Sequence, residues 1–203
     1  MAISIRLEEH RDFKTVEYLT RETFWDLYRP GCCEHLVVHT IRKDPAFIPE
    51  LSYVVCDGET VIGNIIYSKA KVVRDDQNEF EVLCMGPFAV LPAYQKKGIG
   101  ARLLNHTLEQ AKERGFKAVI IFGNPVYYQR FSFRNAKDFG ITTAWGANLD
   151  AFMALELSDG SLNGITGKFF ASQAFDIKDQ ELEEFEKQFP YREKHVTDTQ
   201  LKL

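Results

Sequence analysis

No stretch of the sequence approaches 18 consecutive apolar residues, and the longest apolar runs, such as residues 118–122, have the length of a strand. A membrane-spanning helix is therefore excluded, and no membrane partner is expected. The first ten residues carry Arg6, Glu8 and Glu9 and no apolar h-region, so neither a signal peptide nor an anchor is expected there. Cysteine is scarce. The four, at positions 32, 33, 56 and 84, lack CxxC spacing, and the adjacent pair Cys32-Cys33 is poorly placed to bridge. A disulfide scaffold is excluded, and four thiols in a reducing cytoplasm are expected. Proline and glycine, at 7 and 13 residues, are too few for a collagenous chain. Nor is there an excess of cations: 25 Lys and Arg stand against 29 Asp and Glu, a net charge of −4. That balance argues against nucleic acid as the principal partner while leaving room for a local basic patch.

What the chain does have is material for a core. It has 203 residues, 45% hydrophobic and 13% aromatic with 16 Phe, which gives enough apolar surface to offset the ordering entropy of folding. No linker, low-complexity tract or internal repeat divides it, so residues 1–203 read as one domain. The pattern predicts a short strand over 3–7, helices over 13–28 and 33–42, and a hairpin of strands over 51–56 and 61–73 turned by Asp57-Gly58. A third antiparallel strand follows over 79–85. Gly86-Pro87 interrupts it, as suits a bulge, and it resumes over 88–91. Ile99, Leu103, Leu104, Leu108 and Ala111 then lie on one face of a helix that Gly115 ends, before a buried strand over 117–122. Strand, helix, strand is a βαβ unit, so the strands near 88 and 120 are expected to run parallel. Asp159-Gly160 signals a C-terminal hairpin. Residues 180–188 read as an acidic helix with Leu182, Phe185 and Phe189 facing inward, and the last dozen residues as frayed.

The chemistry concentrates where the loop becomes the βαβ helix, in Gln95-Lys-Lys-Gly98-Ile-Gly100-Ala101. Glycines there let successive N–H groups point outward, and the helix N-terminus adds about half a positive charge. Lys96, Lys97 and Arg102 make the local field cationic within an acidic chain. The ligand expected is a phosphate-bearing one. A Walker A loop would need Gly-Lys-Ser/Thr, whereas Gly100 is followed by Ala101-Arg102, and a Rossmann fingerprint would need Gly or Ala where Leu103 stands.

This segment resembles the Q/R-x-x-G-x-G/A signature of the GNAT superfamily of acyl-CoA-dependent N-acetyltransferases. Gly86-Pro-Phe-Ala-Val-Leu-Pro92 is similar to the splayed strand before that loop, and Asn124-Pro-Val-Tyr-Tyr-Gln-Arg-Phe-Ser-Phe133 to the family's tyrosine-bearing segment, with Ser132 where the family has Gly. The resemblance covers residues 1 to 140, leaving 141–203 as a hairpin and helix that complete the domain. It implies an α/β (α+β) GNAT fold, a mostly antiparallel mixed sheet with a splayed parallel pair flanked by helices. It also implies acetyl-CoA as co-substrate, no metal, and a small-molecule or peptide amine as acceptor, with homodimerisation open. By that resemblance the pyrophosphate would lie on the loop Gln95, Lys96, Lys97, Gly98, Ile99, Gly100 and Ala101. The main chain of Phe88, Ala89 and Val90 would hold the pantetheine arm, with Asn124 and Tyr127 beside it.

Direct transfer needs a base for the amine, donors for a tetrahedral oxyanion and an acid for the departing thiolate. The Val90 N–H is a candidate oxyanion donor, and Tyr128, with Tyr127 as the alternative, is the candidate acid. Glu81 is the candidate base, with Glu34 and Glu22 as alternatives. Cys33, Glu34, His35 and His39 lack the His-Glu-x-x-His order of zinc proteases. Cys84 is a candidate ping-pong nucleophile but has no His adjacent in sequence. The acidic run Glu181, Glu183, Glu184 and Glu186 reads as a solvated helix face. An acyl-CoA sensor without turnover is the alternative to an enzyme.

Overall fold

The computed structural model describes residues 2–200. Strand β1 (Ile3–Leu7) leads into α1 (Phe13–Phe24) and α2 (Glu34–Ile41), followed by β2 (Tyr53–Asp57), β3 (Thr60–Val73) and β4 (Glu79–Val90). Helix α3 (Ile99–Glu113) returns the chain to β5 (Ala118–Phe122), and a single turn, α4 (Pro125–Tyr128), follows. Short strands β6 (Arg134–Asn135), β7 (Ile141–Thr143), β8 (Phe152–Glu156) and β9 (Gly167–Phe170) precede the final helix α5 (Asp179–Glu186).

These strands make one nine-stranded sheet, in the order β1-β2-β3-β4-β5-β8-β6 with β9 joining β3 to β7. The ladders are antiparallel except β4–β5 and the short β7–β9. The expected βαβ unit and the mixed, mostly antiparallel sheet flanked by helices are therefore present. Period-2 alternation divides the strands between two faces. Tyr53, Val55, Leu83, Met85, Val119 and Ile121 pack under Leu103 and Leu104 of α3. On the other face Val54, Cys56 and Ala89 pack against Val16 and Leu19 of α1 and Val38 of α2. Farther along that face Cys84, Ala118, Ile120 and Phe152 build a second cluster.

Three expectations change. Asp159-Gly160 does turn the chain (Gly160 φ 74), but the strands flanking it do not form a hairpin. Strand β8 lies between β5 and β6, so both its edges are occupied, and β9 pairs with β3 and β7. Leu162 and Ile165, buried in the intervening turns, carry the chain across to that second edge. Helix α1 ends at Phe24, four residues early, because Trp25 leaves helical geometry and Asp26 is left-handed (φ 58). Of the last dozen residues, expected to fray, 193–200 are tied down, and 201–203 lie outside the described residues. The Trp25 indole donates to Glu193 O at 3.0 Å, Asp26 accepts from the His195 N–H and ring at 3.0 Å, and Thr199 donates to Leu27 O. Helix α5 packs Leu182 and Phe185 against Leu36 of α2 as expected.

Candidate functional site

The site begins where β4 and β5 part. Their ladder extends only over Leu83–Val119 and Cys84–Ile120. Just beyond it β4 bulges: two residues, Gly86 and Pro87, stand opposite the single Ile66 of β3. Pairing with β3 then resumes, with Ala89 opposite Asn64 and the Leu91 N–H donating to Ile62 O at 2.9 Å. Antiparallel alternation therefore turns the polar groups of Ala89 toward β3 and those of Phe88 and Val90 toward the gap. The Gln95 amide donates to Val90 O at 2.9 Å, which leaves the Val90 N–H and the Phe88 peptide groups to face an incoming chain.

An anion cradle stands at the mouth of the gap. Lys96 (φ 60) and Gly98 (φ 78) are both left-handed, and the first hydrogen bond of α3 runs from Arg102 N to Gly98 O. The N–H groups of Gly98, Ile99, Gly100 and Ala101 thus have no acceptor within the helix and point outward. Lys96, Lys97 and Arg102 are exposed around them, and the Lys97 ammonium is steadied by Ala93 O at 2.8 Å. Gly100 is needed for close approach, since a Cβ there would lie 3.0 Å from Tyr127 Oη and 3.2 Å from Phe88 Cζ. Tyr127 and Phe88 therefore close around the first turn of α3.

The gap is walled by tyrosines. Asn124 caps α4 by accepting the Val126 N–H at 2.9 Å, so its carbonyl oxygen is committed and its amide nitrogen remains available. Tyr128 packs edge-on against Tyr127 and Phe133, and its ring lies over Gly123, where any Cβ would overlap it. Burial, with Tyr127, Tyr28 and Tyr67 nearby, pushes the Tyr128 phenol well above its ordinary range, so it stays protonated. From the opposite side Phe24 packs against the cluster that includes Ala89, as Leu91 does, and its ring lies obliquely to that of Tyr28. Burial and the Glu34 carboxylate raise the Tyr28 phenol. Glu34, the first residue of α2, accepts the Cys33 N–H at 3.0 Å, and burial holds its carboxyl above the usual carboxylate range.

Residues 15–131, more than half of the chain, match the Acetyltransferase (GNAT) family. The chain belongs to that family. It is 32% identical over 164 residues to the uncharacterized N-acetyltransferase YhbS of Escherichia coli K12, covering 80% of this chain and 92% of that one. The crystal structure of YhbS from Escherichia coli in complex with CoA superposes with a TM-score of 0.77 at 29% identity, over 86% of this chain and 92% of that one. A GNAT acetyltransferase from Brucella melitensis in complex with acetyl-CoA gives 0.69 at 25% identity, over 86% and 98%.

Within this GNAT chain the structure gathers Phe88, Val90, the loop 95–101, Asn124, Tyr127 and Tyr128 around one gap. Glu81 is not gathered there. It lies five residues before Gly86, roughly 17 Å along an extended strand, exposed and paired with Lys69 at 3.0 Å. Glu22 is drawn off by Arg192 at 3.0 Å. Cys84 is buried and its thiol is pushed up to about 12, so it is held as an inert core thiol. His35 faces Cys32 and Glu186 inside the α1–α2–α5 packing, and among the described residues no three His, Cys, Asp or Glu side chains converge as metal ligands. Sequence reasoning missed Gly123 as the pedestal of Tyr128. A glycine directly after a buried strand and before the Asn-Pro cap was its only local signal.

Proposed function

We propose that this GNAT acetyltransferase transfers the acetyl group of acetyl-CoA directly to a primary amine. The observation that carries the reading is the β4–β5 gap, with unpaired strand groups along one wall, the cationic cradle at its mouth and Tyr128 at its floor. It suits a chain bearing both a pyrophosphate and amide groups, and the CoA and acetyl-CoA complexes of the similar structures support the same ligand. Residues 97–101 would take the pyrophosphate, and Phe88 and Val90 would pair with the pantetheine amides as a strand would.

Glu34 replaces Glu81 as the proposed base. Unlike Glu17 and Glu22 of α1, it has no ion-pair partner among the described residues, and its raised affinity for protons suits it to take one from an ammonium, through water, as the amine attacks the thioester carbon. The Val90 N–H donates to the oxyanion that forms. When the C–S bond breaks, Tyr128 donates a hydrogen bond to the sulfur. Its phenol binds its proton more tightly than a thiol near 8.5, so it stabilises the thiolate, and the proton completing the thiol arrives later from solvent.

The four cysteines are free thiols, in keeping with a reducing cytoplasm, and residues 1–203 are read as one acetyltransferase unit. The test is free-thiol release from acetyl-CoA across an amine panel. Acceptor-dependent release is expected; tight acetyl-CoA binding with no release for any amine overturns the reading in favour of a sensor.

A further inference from the structure

One pair of rings stands outside both the core and the cofactor cleft. Phe122 and Trp145 are 50% and 70% exposed, and their rings stack with planes 12° apart and centroids 6.5 Å apart. Most exposed apolar residues are scattered singly, but these two stand together as a stacked, solvent-facing pair.

Their position relates them to the reaction. Along β5, Val119 and Ile121 face α3, while Ala118 and Ile120 face the other side. Phe122 continues the second set, with its ring 4.8 Å from that of Phe152. This is the face on which α1 and α2 lie, the one that carries Tyr28 and Glu34. In register, Cys84 opposite Ile120 puts Phe122 level with Gly86, where β4 and β5 begin to diverge. The rings therefore flank the gap on the side opposite α3.

The surface is also rigidly mounted. Trp145 sits on a turn closed by Thr143 N to Ala147 O at 3.1 Å, Gly146 N to Thr143 O at 2.9 Å and Ala147 N to Thr143 Oγ1 at 2.9 Å. The base of this loop is tied to the tyrosine site, because the Gly123 N–H, directly beneath the Tyr128 ring, donates to Ala151 O at 2.8 Å. A fixed aromatic face at the gap recognises a flat ring by offset stacking or an ammonium by cation–π attraction.

Charge narrows the choice. A polycationic acceptor would need several uncommitted carboxylates nearby. Asp26 is occupied by Gly31 and His195, Glu22 by Arg192, and Glu17 by Arg42 and His39, so Glu34 is the carboxylate left on the α1–α2 wall, and the loop of Trp145 adds only the exposed Asp150. We propose that Phe122 and Trp145 form the acceptor shelf of this enzyme, and that its acceptor is a monoamine carrying a flat aromatic group, an arylalkylamine. This rests on the acetyl-transfer reading above.

The test compares 2-phenylethylamine and tryptamine with n-butylamine and spermidine as acceptors, in the wild type and in Trp145→Ala. Arylalkylamines are expected to exceed n-butylamine in kcat/KM by about tenfold or more, and Trp145→Ala to reduce that advantage to less than about threefold, chiefly through KM, with acetyl-CoA affinity unchanged. A readout independent of turnover is tryptophan emission. 2-Phenylethylamine is expected to perturb it in the wild type and not in Trp145→Phe, where the buried Trp25 alone reports. Transfer that is equal for aryl and alkyl amines, or an aryl preference that survives Trp145→Ala, overturns the shelf and leaves acetyl transfer standing. Transfer to spermidine above all the others does the same, as does a dimer in sedimentation that Trp145→Ala dissociates. Absence of transfer to every amine overturns the underlying reading, and absence of the emission change then overturns the shelf separately.

Discussion

Ser132 adopts a left-handed backbone (φ 66) that L-residues disfavour, at the C-terminal end of the turn that carries Tyr128. The family pattern places Gly there, and the structure supplies the reason. Its side chain is exposed, so Ser132→Gly is expected to stabilise the protein by about 0.5–1 kcal/mol, visible as a rise of roughly 1–4 °C in Tm. Tyr128→Phe removes one hydrogen bond to a developing thiolate. That is a loss of about 1.5–3 kcal/mol, so kcat is expected to fall at least about tenfold in turnover assays, while calorimetry finds acetyl-CoA affinity unchanged. Glu34 must be ionised to accept a proton, and burial raises its pKa, so activity is expected to rise with pH along a limb above the ordinary carboxylate range. In a kcat/KM profile, Glu34→Gln should lower activity and remove that limb. Retention of the limb would point to another base. At this scale the pairing of Tyr128 with Phe133 was legible, because their spacing is local. Glu81 was misplaced, because alternation gives the face of a strand and not which end of that face reaches the gap.

At the scale of elements, the cradle was legible because everything that builds it is contiguous: the glycines, the cations and the start of α3 span eight residues. The close contacts of a Cβ at Gly100 are two ring tips, Tyr127 Oη and Phe88 Cζ, which need give only by tenths of an ångström, while Val90 Cγ2 at 3.7 Å is ordinary contact. Gly100→Ala is therefore expected to leave the melting temperature nearly unchanged while weakening acetyl-CoA binding about tenfold, which isothermal titration would measure against the wild type. The bulge at Gly86-Pro87 was equally legible, since Pro87 cannot donate to a ladder. The C-terminal hairpin was not. Asp159-Gly160 specifies a turn, but pairing depends on which sheet edges are free when the strands arrive, and β5 and β3 each offered one.

At the scale of the whole molecule, a buried polar cluster ties α1, α2 and α5 together. Arg21 bonds Glu186 and Pro190 O and stacks on Trp25, while His35 lies 3.4 Å from Cys32 Sγ and 2.9 Å from Glu186 Oε2, off the axis of a good hydrogen bond. Burial, aided by Arg21 and opposed by Glu186, pulls His35 down to about 4. The unfolded chain binds this proton near 6.5, so between those values it carries more protons than the folded protein. The stability contributed by neutral His35 is thus complete above about pH 6.5 and lost as pH falls toward 4, on the order of 3 kcal/mol. Thermal unfolding from pH 7 to 4 should show this decline, and His35→Gln should flatten it. A wild-type Tm constant over that range would contradict the assignment.

By itself the sequence determined the element types, the βαβ unit, the bulge and the cradle, because each depends on neighbours within a few residues: periodicity, a missing N–H, a run of glycines. It also determined the family through those same contiguous motifs. Only the tertiary structure decided that Glu186 binds Arg21, that His195 binds Asp26, and that Phe122 meets Trp145. Those contacts join positions 23 to more than 160 residues apart, and no local preference encodes them. They are set by which faces and edges remain to be covered once the sheet has formed.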